Sequence, residues 1–403
     1  MIPDSPHICP LPWISVETNT QGMMSPCCLS LQNISAPGTT TPYHLSQTTL
    51  TSGYRSEFMQ DLRRKFRSGQ RPHNCRRCWN EEDAGRISKR QRSLEQFSSR
   101  LDEIQWDNDL PDQLWMLDLK LGNLCNLRCR ICGPWSSTRW SNEAMSKEQD
   151  VIDKRHSNTY KMIKGGEWPE NNDTFWQDLD SLLPKVSMIE FSGGEPFMVM
   201  RHYDLLKRAV SLGVAGNIHL HYNTNGTIIP EVESEWQQFR RVEISFSIDN
   251  VGKKHEFERA GAGWEALVRN LGSFRQMAAN NPRMSLHSCT TMSIINIMDL
   301  PDTVAWLEQQ GFNSTYLNML HDPPSFNIGR MTDAARKLVL ERLTTDRFPD
   351  KYHDEVLGIR RFIENGPSSD GVSFCERMKN SDQYRGEDFR VLYPEMAQAM
   401  GYE

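Results

Sequence analysis

Three cysteines in one short loop constrain this chain more than any other feature. Cys125, Cys129 and Cys132 follow a C-x3-C-x2-C spacing. The segment before them, Trp115 to Leu121, is apolar and reads as a short strand. The thiols then sit in a loop just past a strand's carboxyl end, where open α/β sheets and α/β barrels place their chemistry. Cubane iron–sulfur clusters take four thiolates, and this loop offers three. One iron is thereby left without a protein ligand and can take a small molecule. The plainer alternatives are a zinc site or buried free thiols. Zinc sites usually pair two separated C-x2-C knuckles, and this loop does not have that form.

Downstream the chain repeats strand and helix. Residues 173–185 read as a helix, and SMIEF leads into SGGEPFM. A helix over 203–213 precedes a strand over 217–226, and a buried strand over 241–250 ends at Asp249. Further strands are expected over 284–296 and in the FNSTYLNML segment, with a helix between them. With the strand before the cysteine loop this makes six, and short alternating links imply a parallel sheet, hence an α/β fold. Gly193 and Gly194 close one strand, where missing side chains let backbone approach a ligand. Residues 141–172 are polar and read as a helix and a long connection. Residues 321–403 open on a Pro-rich loop and continue as two or three amphipathic helices.

The first hundred residues hold Cys9, Cys27, Cys28, Cys75 and Cys78. Trp13 to Thr18 alternates as a strand, and Thr20, Gln21 and Gly22 read as a hairpin turn into a second short strand. Such a hairpin returns Cys27 beside Cys9. A basic amphipathic helix follows over about 56–68, its Arg63, Arg64, Lys65 and Arg67 read as a solvated face. Cys75 and Cys78 then stand at C-x2-C spacing. The set Cys9, Cys27, Cys75 and Cys78 could hold a cluster or a structural zinc, with Cys28 an alternative to Cys27. His219 and His221 read as hydrogen-bonded wall residues, with a metal role as the alternative, Cys289 as a small buried side chain or else a hydrogen-atom donor in the cleft, and Cys375 as a thiol in a polar tail without a nameable partner.

Composition narrows the class. The 403 residues carry a formal charge of −6, so no basic excess points to nucleic acid as a partner. No apolar run is long enough to span a membrane, and the first residues lack a secretory pattern. Ten cysteines without a signal argue for metal or redox use in a reducing compartment, hence a cytoplasmic location.

The cysteine loop and the SGGEP segment together resemble the radical SAM superfamily, whose signature is C-x3-C-x-aromatic-C. This chain departs from it at Ile131, which stands where the family usually has an aromatic. The resemblance implies a partial (β/α)6 barrel over 111–320. It implies a 4Fe-4S cluster on Cys125, Cys129 and Cys132, whose free iron chelates S-adenosylmethionine. Reductive cleavage then gives a 5′-deoxyadenosyl radical that abstracts hydrogen from a substrate. Gly193, Gly194 and Glu195 match the motif that grips the amino group of the cofactor. Asn223, Asn225, Ser245, Ser247 and Asp249 match positions that hold its ribose and carboxylate, with Arg259 as a partner for the carboxylate. Cys9, Gly22 and Cys27 fit C-x12-G-x4-C, which resembles the opening of a SPASM/twitch auxiliary module, here placed before the barrel, within 1–110. That implies a second 4Fe-4S cluster on Cys9, Cys27, Cys75 and Cys78, with zinc as the alternative. A reductant such as flavodoxin or ferredoxin and a peptide or small-molecule substrate complete the expectation, with residues 321–403 as a helical extension. A reading of another class is a non-catalytic zinc or iron–sulfur interaction module.

Overall fold

Among the residues described in this computed structural model, 5–146 and 157–403, eight strands form one sheet. They are β1 (Ser15–Thr18), β2 (Met24–Ser25), β3 (Met116–Lys120), β4 (Met188–Ser192), β5 (His219–Thr224), β6 (Arg241–Ser247), β7 (Met284–Met292) and β8 (Ser314–Met319). The order is β2-β1-β3-β4-β5-β6-β7-β8. Every neighbouring pair is parallel except the β1–β2 hairpin. The six strands expected from the sequence are β3 to β8. The N-terminal hairpin adds to the same sheet, since Ser15 to Thr18 pair in register with Met116 to Leu119.

Period-two alternation decides which way this sheet curls. Along β5, Leu220 and Tyr222 are buried while His219, His221 and Asn223 are half-buried, and β7 alternates likewise over nine residues. The apolar set packs under helices such as Met200–Ser211 and Trp264–Asn280 in the main core. The polar set faces the other way. Asp118, Glu190, His221 and Glu243 are register neighbours across β3 to β6. Inward residues from all six strands, β3 to β8, line a single cavity of about 730 Å³. One cavity reached from six adjacent strands requires a concave sheet, a partial barrel with polar inner and apolar outer walls.

In the N-terminal region helix Glu57–Arg67 packs beside the β1 end of the sheet, whereas Arg76–Asp83 and Lys89–Gln96 reach across the open side of the barrel, with Lys89 and Gln96 lining its cavity, Arg92 over the Tyr316 ring of β8 and Glu81 on His321. Arg63 departs from the solvated face expected for its basic run. It is fully buried, and donates Nε to the Pro12 carbonyl (2.8 Å), Nη1 to Asp109 (2.6 Å) and Nη2 to Tyr54 (2.8 Å). Its guanidinium fork satisfies three carbonyls that no strand or helix uses. Arg64, Lys65 and Arg67 remain at the surface, pairing with Asp61 and Asp109.

The stretch 141–172 contains helices Ser141–Met145 and Asn158–Gly165, and its residues 147–156 lie outside the described residues, as do residues 1–4. Residues 321–403 form a helical layer that includes Asp333–Arg342, His353–Glu364 and Val372–Arg385, with its own apolar core against the ends of β7 and β8. Cys375 belongs to that core rather than to a polar tail, and its thiol donates to the Met400 carbonyl at 3.3 Å. No helix among the described residues is long and apolar enough to cross a membrane.

Candidate active site

The loop after β3 carries Cys125, Cys129 and Cys132, and all three line the barrel cavity. Its path is held by backbone rather than by bulk. Gly122 has φ +88°, and a Cβ there would fall 2.2 Å from the Gly166 carbonyl. Asn123 donates to the carbonyls of Pro134, Met162 and Ile163. The amides of Arg128 and Arg130 donate to the carbonyls of Ala260 (3.0 Å) and Glu258 (2.8 Å). Trp140 Nε1 donates to the Cys129 carbonyl at 3.1 Å. Burial pushes the Cys125 and Cys132 thiols up to about 12, and raises Cys129 although Arg259 opposes it. Three thiols that burial holds neutral become thiolates when a cationic metal group supplies the charge.

The Gly193–Gly194 pair lies directly against this loop. Gly193 has φ +105°, and a Cβ on Gly194 would meet the Leu124 carbonyl at 2.2 Å. The Glu195 amide donates to that same carbonyl at 2.7 Å. Both glycines line the cavity. The structure places the Glu195 carboxylate elsewhere: it is buried, accepting from Thr224 Oγ1 (2.8 Å), the Asn225 amide (2.8 Å) and the Phe197 amide (3.3 Å). Burial raises it to about 7 against those three donors. Glu195 thus ties the end of β4 to the end of β5, and Thr224, unremarked in the sequence between two asparagines, is its partner.

Asn223, Asn225, Ser245 and Ser247 all line the cavity. Asn225 Nδ2 donates to Asn126 Oδ1 at 2.9 Å and approaches Cys125 Sγ at 3.9 Å. Arg259 reaches the cavity too, but its guanidinium is already paired with Asp249, Nη2 to Oδ2 at 2.7 Å, and lies 4.0 Å from Cys129 Sγ. Asp249 in turn accepts from the Thr291 amide (2.8 Å), so it acts on the cavity through Arg259. Cys289 corrects the expectation of a buried core thiol: it stands on the polar side of β7 and lines the same cavity. Ile131 lines it as well, with one side against the C-terminal core.

The far end of the cavity is an ionic lattice of which the sequence showed only His219 and His221, as hydrogen-bonded wall residues. Lys120 bonds Glu17 and Asp118, and Lys89 stands 3.8 Å from Asp118 and 3.6 Å from Glu190. His219 and His221 both reach Glu243 Oε2 at 3.1 Å. Although burial opposes its charge, Lys89, His221 and Lys120 pull Glu190 down to about 2. The only available signal was the repeated polar residue at every second strand position.

A second cavity is lined by Cys9, Cys27, Cys75 and Cys78, together with Leu29, Lys89 and Arg90. Cys28 does not line it and faces the barrel cavity instead. Lys89 and Leu29 line both cavities, so one layer of side chains separates them. Burial raises all four thiols. A single zinc ion draws thiolates to about 2.3 Å from one centre. Among the described residues no three Cys, His, Asp or Glu side chains converge in that way.

Residues 119–307 match the family model of the radical SAM superfamily. Among solved structures, native anSMEcpe with bound AdoMet is 14% identical, with a TM-score of 0.36, over 56% of this chain and 58% of that one. Streptococcus suis SuiB bound to precursor peptide SuiA is 13% identical, with a TM-score of 0.31, over 57% of this chain and 45% of that one. This chain therefore spans less than two thirds of the length of either. No curated protein matches it. The C-x3-C-x2-C loop at the mouth of a partial barrel and the family match over the same residues agree: the chain carries a radical SAM superfamily domain at residues 119–307.

Proposed function

We propose that this chain is an S-adenosylmethionine-cleaving enzyme with a second iron–sulfur cluster in its N-terminal region. One observation carries the reading: the thiols of Cys125, Cys129 and Cys132 and the bare backbone of Gly193–Gly194 open into one cavity of about 730 Å³. Three ligands suit a cubane that keeps one iron free, and the strand end beside it has no side chain to exclude a ligand. When bound, such a cluster and S-adenosylmethionine supply one-electron cleavage of the sulfonium and a radical able to abstract hydrogen. The chain's own residues do the rest. Gly193 and Gly194 offer backbone to the cofactor, Asn223, Asn225, Ser245 and Ser247 offer polar atoms around it, and Glu195 and Asp249 hold the strand ends and Arg259 in place.

Cys9, Cys27, Cys75 and Cys78 are the ligands of the second cluster in this reading. The convergence of four cysteines on one cavity, with Lys89 and Arg90 beside it to balance negative thiolates, supports a metal group there, a cluster in this reading and zinc in the alternative one. Cys27 rather than Cys28 serves as the ligand in this reading, since Cys28 lines the barrel cavity instead. The substrate is a peptide side chain or a small molecule that enters between the lattice of Lys89, Glu190 and His221 and the cysteine loop. The reductant is a flavodoxin or ferredoxin, and the cytoplasm, where the ten cysteines stay reduced, is the site of action. The test is anaerobic reconstitution followed by dithionite and S-adenosylmethionine. Formation of 5′-deoxyadenosine that disappears in Cys129→Ala supports the proposal, and equal formation in that variant refutes it.

A further inference from the structure

The helix Val372–Arg385, far outside the matched domain, lies against the back of the cysteine loop. Its contacts fall on every second loop residue. Arg377 Nη2 donates to the carbonyl of Cys132 at 2.7 Å. Arg385 Nη2 donates to the carbonyl of Arg128 at 2.9 Å. Arg130, between them, sends its guanidinium into Asp382 (2.6 Å) and Glu387 (2.5 Å). Positions 377, 381 and 385 recur every four residues and so share one helix face. Ser381 and Arg385 on that face bond Glu143, whose own short helix Ser141–Met145 follows the loop.

The three arginines differ in how their charge is met. Arg130 faces two carboxylates and Arg385 faces Glu143 at 2.9 Å. Arg377 meets aromatic faces instead, 5.7 Å from the Trp135 ring and 5.4 Å from the Phe326 ring, and its Nε is buried without a hydrogen-bond partner. Among the described residues, the guanidinium with no carboxylate within ion-pair distance is therefore the one bonded to a ligand cysteine's own peptide, and Glu143 acts on it only from farther off. A fixed positive charge beside a cluster favours its reduced form, and the bond to the Cys132 carbonyl holds this one in place.

We infer that the C-terminal extension completes the catalytic cluster site, with Arg377 as a positioning residue that makes the cluster on Cys125, Cys129 and Cys132 easier to reduce. This rests on the proposal of a cluster there and adds to it the role of residues 372–385. Trp135, which also lines the cavity, connects the two: moving Arg377 frees a ring that borders the cofactor's space.

The experiment is a redox titration of the full reconstituted chain, followed by electron paramagnetic resonance. The catalytic signal is identified as the one that changes on adding S-adenosylmethionine. Arg377→Met should keep wild-type iron content yet lower the reduced-to-oxidised ratio of that signal about tenfold at fixed poise, which is about 59 mV for one electron. Arg377→Lys, which keeps the charge, should restore most of it, and the N-terminal cluster should not move in either. An unchanged catalytic potential in Arg377→Met, or an equal drop in both variants, overturns the inference. If Arg377→Met loses iron at both sites, Arg377→Lys decides alone: a near-wild-type potential supports the inference and a tenfold drop overturns it. A wild-type protein with no signal responsive to S-adenosylmethionine would instead refute the underlying cluster assignment.

Discussion

The two cysteine sites use the same ligand and differ in what surrounds it. Cys125, Cys129 and Cys132 come from eight consecutive residues and open into a wide cavity. Cys9, Cys27, Cys75 and Cys78 come from three distant segments and close around a small one. The first site is positioned by backbone, through Gly194 against Leu124 and through guanidiniums from the C-terminal helix on the loop's carbonyls. The second has Lys89 and Arg90 beside it; Cys9 comes from the chain before the hairpin, Cys27 from just after it, and Cys75 and Cys78 from the Arg76–Asp83 helix and its preceding turn. A site meant to admit a ligand needs one coordination position left free and a rigid frame that survives its exchange. A site meant only to pass electrons, or to hold its segment together, can be fully ligated and enclosed. Lys89 and Leu29 form the wall between them, which places the enclosed site one side chain from the barrel cavity.

The largest effects should come from emptying each site in turn. Changing Cys125, Cys129 and Cys132 together to Ala should abolish 5′-deoxyadenosine formation while leaving about half the iron, about four per chain if each site binds a cubane. Changing Cys75 and Cys78 to Ala should also leave about half the iron, but with uncoupled cofactor cleavage retained and substrate turnover lost. The N-terminal segment should become more open to protease in this second variant, because ligand binding there is also folding energy. Iron assay and 5′-deoxyadenosine chromatography decide both. Equal loss of cleavage in the two variants would break the division of labour. A finer version uses neighbours: Cys27→Ala should lower iron as Cys75→Ala does, and Cys28→Ala should not.

A smaller effect should separate frame from ligand. A side chain at residue 194 must displace the Leu124 carbonyl, 2.2 Å from the position of its Cβ. Gly194→Ala should weaken S-adenosylmethionine binding by at least about tenfold, about 1.4 kcal/mol. Because the clash is with the loop itself, iron at the catalytic site should also fall, while iron at the N-terminal site stays. Calorimetry and iron assay in the Cys75/Cys78→Ala background measure the two effects. Unchanged binding would mean that the glycines mark only a turn.

How much of this was legible in the sequence follows from what each signal encodes. The six barrel strands and the cysteine loop were readable because period-two alternation and tight cysteine spacing are local patterns. The placing of Cys27 beside Cys9 rested on a hairpin, also local, whereas Cys75 and Cys78 joined that set only through their C-x2-C spacing and the resemblance to an auxiliary module. The direction of Cys28 against Cys27 was not readable, since adjacent residues differ only once the backbone is fixed. Arg63 was misplaced because helical amphipathicity reports a charged face, not the three carbonyls brought to it by Pro12, Tyr54 and Asp109. Cys375 and Arg377 were unreadable for the same reason. Their partners, Met400 in one case and Cys132 in the other, are 25 and 245 residues away. Glu195 was recognised by its motif, but its bonds to Thr224 and Asn225 depend on parallel β4 and β5 ending side by side.

The smallest expected effect concerns pH and distinguishes the frames of the two sites. Glu258, whose carbonyl accepts from Arg130, is buried and accepts from Tyr393 OH (2.7 Å), Asn250 Nδ2 (3.0 Å) and Asn296 Nδ2 (3.0 Å). Burial, and secondarily Asp249, raises it from 4.5 to about 8 despite those donors. A carboxyl raised in the folded state binds a proton more tightly there than in the unfolded chain. Its contribution is therefore fully present below about pH 4.5 and is lost as pH rises through about 8, with a slope of at most about 1.4 kcal/mol per pH unit from this group. Between pH 6 and pH 8.5 the loop around residues 125–132 and the helix Val372–Arg385 should lose hydrogen-exchange protection, once corrected for intrinsic exchange rates. Residues 72–80, which line the other site, should not. Glu258→Gln keeps the shape without the titration and should flatten the pH dependence of the first pair of segments. If the wild-type loop and residues 72–80 lose protection in parallel, the two cysteine sites share one frame, and the contrast between them is one of exposure alone.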